Sequence, residues 1–262
     1  MAYRIVIDPG HGGSDWGASY EGRKEKDDNL NLALAVGRIL QNNGVDIEYT
    51  RTDDVYNTPL EKAMMGNNAD ADFFISFHRN ATGVPEKSTG IETLVFQDSG
   101  IKAEMARNIN RELANLGFED RGVIERPNLV VLKRTKMPAL LIEAGFIDNE
   151  KDNAFFDANL AATADAIADG ILETFEELEA REDQAASGEI PGFYMVQTGV
   201  FRLRSNAEAQ LQELKDQGFP AFMTVKDGLF YVRAGAFREM DNAVQMERRL
   251  RRLGYGTLIT RS

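Results

Sequence analysis

The sequence predicts an α/β domain, with a mainly parallel twisted sheet flanked by helices, followed by a small α+β domain of two βαβ half-repeats. Three observations carry this reading. Short β-branched and aromatic runs alternate with segments of helical periodicity over residues 1–178. A polar stretch with small residues then interrupts the pattern at 179–191 and reads as a linker. Residues 192–262 repeat themselves, with matching pairs at an offset of 36 residues.

Taken in order, Ile5-Val6-Ile7 is a buried strand that ends in Asp8-Pro9-Gly10-His11-Gly12-Gly13. The glycines of that turn permit tight bends and close approach of another group. A polar loop (14–26) follows, and then Leu30, Ala33, Leu34, Val36, Ile39 and Leu40 space an amphipathic helix over 28–42. Glu25 stands just ahead of that helix, where a carboxylate can face the His11 loop. Residues 45–49 read as a strand, 60–68 as a short helix, and 72–77 as a strand buried on both faces that leads into His78-Arg79-Asn80. Further strands are expected at 90–96, 129–132 and 139–142, with a helix over 101–116 closed by Gly117. The last of these strands delivers Glu143-Ala144-Gly145-Phe146, and residues 155–178 form a long final helix. Beyond the linker, Gly199-x-Phe201 answers Gly235-x-Phe237 and Asn206-Ala207 answers Asn242-Ala243. Each unit reads strand, helix, strand, which builds a small antiparallel sheet with two helices on one face.

The chain has two histidines, His11 and His78, and both fall at strand ends, where open α/β sheets build their sites. Imidazole is the commonest metal ligand near neutral pH. A catalytic zinc commonly takes two His and one carboxylate and leaves a position for water. Spacing alone does not choose that carboxylate. Asp8 reads either as a partner orienting an imidazole or as a turn-forming Asx residue.

Composition narrows the function classes. With no cysteine there are no disulfides and no thiolate ligands. No apolar run approaches the ~20 residues of a membrane span, and no signal peptide is visible. The expectation is synthesis in the cytoplasm, no membrane insertion and no nucleic-acid partner. Charge is uneven: residues 191–262 hold 11 Lys/Arg against 7 Asp/Glu, whereas residues 1–190 hold 19 against 35. The asymmetry points to two parts with different partners, or to two differently charged solvated surfaces.

Four motifs in order, Asp8-Pro9-Gly10-His11-Gly12-Gly13, Glu25-Lys26-Asp27, Ser76-Phe77-His78-Arg79-Asn80 and Met137 to Phe146, make residues 1–178 resemble the zinc-dependent N-acetylmuramoyl-L-alanine amidases of the type-3 class. Residues 192–262 resemble a SPOR peptidoglycan-binding domain. The arrangement is similar to cell-wall amidases of spore-forming bacteria and to some phage endolysins. The resemblance implies Zn2+ held by His11, Glu25 and His78, with Glu143 as the catalytic glutamate. It implies hydrolysis of the amide between N-acetylmuramic acid and the L-alanine of the stem peptide, and peptidoglycan stem peptide and glycan strands as partners. Asn80 and Arg134 are candidate substrate contacts in the first domain, Gln197 and Arg233 candidate glycan contacts in the second. Phe201 and Phe237 fit the core of each half-repeat better than a sugar face. The chain departs from the family pattern at Lys62, where arginine is usual, and at Arg79, where a smaller residue is usual; both departures bear on the substrate cleft. The enzyme would act on the wall after release by lysis or a holin, in a sporulating mother cell or as a phage endolysin. A zinc metallocarboxypeptidase-like hydrolase and a non-catalytic wall-binding protein are the alternatives.

Overall fold

The structure is a computed structural model that describes residues 3–187 and 192–261. It forms two compact units, Met1–Phe175 and Glu176–Ser262. In chain order the elements are β1 (Arg4–Pro9), β2 (Ser19–Tyr20), β3 (Arg23–Lys24), α1 (Glu25–Asn42), β4 (Asp46–Tyr49), α2 (Pro59–Asn68), β5 (Phe73–Asn80), β6 (Ile91–Val95), α3 (Ile101–Leu116), β7 (Asp120–Glu125), α4 (Val130–Lys133), β8 (Ala139–Phe146), α5 (Glu150–Ala158), α6 (Leu160–Ser187), β9 (Tyr194–Phe201), α7 (Arg204–Asp216), β10 (Ala221–Lys226), β11 (Leu229–Phe237), α8 (Met240–Arg252) and β12 (Leu258–Arg261).

The first unit is built on a six-stranded sheet of order β4-β1-β5-β8-β6-β7, parallel throughout except between β6 and β8. Both faces are covered, which is why β1, β5 and β8 read as continuous apolar runs. Successive side chains alternate between the faces. Val6, Phe74, Leu94 and Leu141 pack with Val131 and Leu132 in one cluster on the side of α4. Asp8, Ser76, His78 and Glu143 keep the same parity along their strands and so share that face, whereas Arg79 points to the other. This parity decides which polar residues meet in the site.

Three expectations are corrected and one unforeseen edge strand is added. The run 129–132 is not a strand: Val130–Lys133 is a single helical turn, with Lys133 N donating to the Leu129 carbonyl and Arg134 N to that of Val130. A short apolar run does not distinguish the two, and here Val131 and Leu132 are buried while Val130 is exposed. The edge strand β7 was not anticipated, because Asp120-Arg121-Gly122-Val123-Ile124-Glu125 has too few apolar residues to show a strand period. The expected helix over 155–178 is two helices, broken at Asn159, whose side-chain amide donates to the Phe155 carbonyl. Finally, the second helix runs to Ser187, so much of the stretch expected as a linker is helical; residues 188–191 lie outside the described residues. No helix among the described residues is long and apolar enough to cross a membrane.

The second unit carries a four-stranded antiparallel sheet of order β10-β11-β9-β12. Its core joins Val196, Val232 and Ala234 to Ala207 and Leu214 of α7 and Ala243 and Leu250 of α8. The repeated Gly-x-Phe has a packing cause. A Cβ on Gly199 would lie 2.5 Å from the Phe201 ring, and one on Gly235 2.4 Å from the Phe237 ring. Both phenylalanines pack against the core.

Candidate metal centre and active site

The site forms at the C-terminal ends of β1, β5 and β8. His11 follows β1 in the left-handed backbone region, φ 59°, a conformation uncommon outside glycine that needs support from its surroundings. Two buried cations give that support. Lys62 Nζ donates to the carbonyls of Pro9 (2.7 Å) and His11 (3.3 Å), and Arg51 donates to those of Pro9 (3.0 Å) and Gly10 (2.9 Å). Lys62 is itself held by Asp8, 2.8 Å away, and Asp8 also accepts from Thr50 (2.6 Å) and Ser76 (2.7 Å). Burial alone would raise the Asp8 carboxyl, but Lys62 and the two hydroxyls hold it below its usual range. Asp8 therefore neither touches an imidazole nor makes an Asx turn; it anchors the strand through Lys62.

The residue that orients His11 is Asp15, whose Oδ2 lies 2.8 Å from His11 Nδ1 while its Oδ1 accepts from Gly17 N. With Nδ1 so occupied, His11 Nε2 faces Glu25 Oε2 at 3.0 Å. The other oxygen, Oε1, lies 2.8 Å from His78 Nδ1. Glu25 is the first residue of α1, where the helix N-terminus favours a carboxylate. It also accepts from the backbone N–H of Ala18 (2.8 Å) and Arg79 (3.2 Å) and from Asn29 Nδ2 (3.1 Å). Burial would raise its pKa, but the two histidines more than reverse that and hold it far below the carboxylate range. Burial likewise lowers the His11 pKa while hydrogen bonds to Glu25 and Asp15 raise it, for a net rise.

One ligand atom from each of His11, Glu25 and His78 lies within 4.8 Å of the others, the separation a single ion needs. Two imidazole nitrogens and a carboxylate oxygen are a donor set suited to a catalytic divalent metal with an open position. Glycines make room for these side chains: a Cβ on Gly10 would lie 2.4 Å from the His78 ring, and one on Gly17 2.4 Å from Glu25 Oε2.

Glu143 stands beside this group. In the β5–β8 register it is the partner of His78, and in the β6–β8 register that of Glu92. Its Oε2 is buried without a hydrogen-bond partner among the described residues. Burial, then the charges of Glu25 and Glu92, push its pKa well up. A bound cation would oppose that rise. A cleft of about 250 Å³ opens against His11, His78 and Asp15, and its far wall is Leu129, Val130 and Val131.

A family model described as N-acetylmuramoyl-L-alanine amidase matches residues 5–173 of the chain. The chain belongs to that amidase family. A SPOR domain model matches residues 190–261. The amidase is 36% identical over 231 residues to the sporulation-specific N-acetylmuramoyl-L-alanine amidase of Bacillus subtilis (strain 168), covering 86% of this chain and 85% of that protein. It is 34% identical over 183 residues to an endolysin of Bacillus phage SPP1, covering 66% of each. Among solved structures it is similar to an N-acetylmuramoyl-L-alanine amidase from Clostridium difficile 630, with TM-score 0.64 and 32% identity over 67% of this chain and 97% of that one. The catalytic domain of CwlV from Bacillus (Paenibacillus) polymyxa var. colistinus matches with TM-score 0.61 and 33% identity, over 66% and 98%. The chain is thus a peptidoglycan hydrolase of the amidase type with a cell-wall-binding domain.

The remaining residues of interest divide by location. Asn80 donates to Glu92 Oε1 (2.9 Å), which ties it to the row that holds Glu143. Arg134 is exposed at the end of α4, and its carbonyl accepts from Asn67. Arg79 of the amidase is wholly buried: it pairs with Asp28 (2.7 Å), donates to Asn153 (2.8 Å) and lies over the Phe156 ring. It braces the sheet against α1 and α5 and does not enter the cleft. In the second unit Gln197 is half-buried and opposite Arg233 in the β9–β11 register. Arg233, expected on an exposed sheet face, is buried against Met195 and Tyr231. Asp15 and Arg51 escaped the sequence reading. The spacing of Asp15 four residues after His11 was a usable signal; Arg51 had none.

Proposed function

We propose that the amidase is a zinc enzyme in which His11 Nε2, the Glu25 carboxylate and His78 Nδ1 hold the ion and Glu143 transfers the proton. The convergence of the three ligand atoms beside an unsatisfied buried carboxylate oxygen is the observation that carries this reading. A zinc ion in such a site supplies Lewis-acid polarisation of a carbonyl and a lowered pKa for water, from ~16 towards ~7. Asp15 fixes His11 in the Nδ1–H tautomer, so that Nε2 keeps its lone pair for the ion. Glu143 takes a proton from the attacking water through Oε2 and then delivers it to the departing L-alanine nitrogen. The carboxylate is suited to both steps because no group among the described residues donates to that oxygen. The stem peptide would lie along the cleft beside α4, with Asn80 and Arg134 as contacts.

The second domain holds the enzyme on glycan strands, with Gln197 at its contact surface. The place of action is the cell wall, reached when the producing cell opens, whether sporulation or a phage sets the time. Mass spectrometry of digested, purified peptidoglycan tests the bond cut. Free lactyl groups on muramic acid with matching new L-alanine N-termini are expected. Release of C-terminal amino acids from the stem would replace the amidase reading with a carboxypeptidase, and intact wall would leave a binding protein.

A further inference from the structure

The second unit contains an internal control for its own surface. α7 and α8 are equivalent helices of 13 residues at the 36-residue offset, and both pack on the same sheet. Their buried positions correspond: Ala207 with Ala243, and Leu214 with Leu250. Their last turns do not. α7 ends Gln212-Glu213-Leu214-Lys215-Asp216, net −1, where α8 ends Arg248-Arg249-Leu250-Arg251-Arg252, net +4. The fold does not require the arginines, because its sister helix does without them in the same place.

Nor does local energetics favour them as a set. Cations suit a helix C-terminus, yet Arg248 and Arg252 are four apart, and the pairs 248/251 and 249/252 three apart, so each is a like-charge neighbour that weakens the helix. Arg251 is relieved by Glu247 at 2.8 Å, and Arg249 lies 5.2 Å over the Phe219 ring. Arg248 and Arg252 have no ion pair among the described residues. All four are exposed. Successive phosphates along a flexible chain can meet such a row, where residues four apart stand ~6 Å apart along the axis, and guanidinium forks bind phosphate in two-point fashion. The exposed face of α8 offers no aromatic side chain, so it lacks the stacking platform that proteins use for single-stranded nucleic acid.

We propose that this face of α8 is a second wall-anchoring site, which binds a base-free polyol-phosphate polymer through Arg248, Arg249 and Arg252. The site is separate from the sheet and adds charge-based retention on anionic walls to whatever glycan contact the domain makes. It rests on the wall-binding reading only for where the polymer is met, since the affinity itself is tested with the polymer alone.

The test uses the full chain and poly(glycerol phosphate), with a variant that imports the sister helix: Arg248→Gln, Arg249→Glu and Arg252→Asp. The native protein should bind with an affinity that falls steeply with salt. The variant should lose at least tenfold in affinity, with a log–log salt slope shallower by about 2, at about 0.7 per phosphate contact on a flexible strand. Its thermal midpoint should not fall and its binding to peptidoglycan stripped of phosphate with hydrofluoric acid should be unchanged, and Arg252→Gln alone should show a smaller loss of the same sign. Equal polymer affinity in native and variant proteins would overturn the proposal, as would an equal loss on phosphate-free wall. Tighter arginine-dependent binding to an oligothymidylate of equal phosphate number would assign the face to nucleic acid instead. Failure of the native protein to bind phosphate-free peptidoglycan would count against glycan anchoring while leaving the polymer result standing.

Discussion

Replacing Lys62 with methionine isolates the support beneath the His11 loop. The ammonium sits 2.8 Å from Asp8, with both side chains almost fully buried, and also caps the carbonyls of Pro9 and His11. Methionine keeps most of the volume and removes the charge. Asp8 is then left buried with two hydroxyl donors, and removing one partner of a buried pair costs about 3–5 kcal/mol. At about 2–4 °C per kcal/mol for a unit of this size, the thermal midpoint should fall by about 6–20 °C at pH 7. The pH dependence carries the sign. In the native protein the Asp8 pKa is depressed, so its stabilising contribution is present above the unfolded-state value of about 3.9 and lost as pH falls through the folded value. Without Lys62 the folded pKa rises above the unfolded one, so the variant should regain stability relative to native protein as pH falls from 7 towards 5. The double variant Asp8→Asn/Lys62→Met should recover much of the loss. Calorimetry of metal-free protein across that pH range is the assay. A loss under 1 kcal/mol with no pH dependence would refute the reasoning.

Other perturbations probe the site directly. Asp15→Ala should weaken zinc binding about 10–100-fold, the usual cost of losing a residue that orients a ligand, measurable by competition with a chromogenic chelator. Gly10→Ala places a methyl 2.4 Å from the His78 ring; zinc content should fall sharply while the circular dichroism of the fold persists. Arg79→Met should lower the thermal midpoint by several degrees, since Asp28 and Asn153 lose their buried partner; among turnover parameters of the surviving folded enzyme, KM should stay constant if Arg79 lies outside the cleft. Saturating zinc should raise the thermal midpoint in a concentration-dependent way, following RT ln(1 + [L]/Kd), and chelation should reverse it.

The sequence pointed to a candidate metal site because its chemistry is scarce: two histidines, both at strand ends, leave few ways to build one. Glu25 and Glu143 were not singled out by spacing among 42 acidic residues, and the roles proposed for them came from motif resemblance. The fold explains where each stands, one at a helix N-terminus and the other in register with His78. What stayed hidden depended on long-range pairing. Arg51 looks like an ordinary surface cation in one dimension, Lys62 and Arg79 stood out only as departures from the family pattern, and only the sheet brings carbonyls and carboxylates to them. The turn of α4 was misread as a strand because four apolar residues fit either period, yet it forms a wall of the cleft. In the second domain the 36-residue repeat was legible as sequence, whereas the burial of Arg233 depends on what packs around β11.

The most direct test of the proposed mechanism compares native protein with Glu143→Gln on purified peptidoglycan, each first stripped of metal and then given one equivalent of zinc. The expected result is that both bind zinc equally and keep their fold, zinc restores release of L-alanine amino groups by the native protein, and the variant falls by about 10²–10⁴-fold, the range of a lost general acid–base group. Full activity in zinc-loaded Glu143→Gln, or native activity that survives complete removal of metal, would contradict the assignment of proton transfer to Glu143 and of the ion to His11, Glu25 and His78.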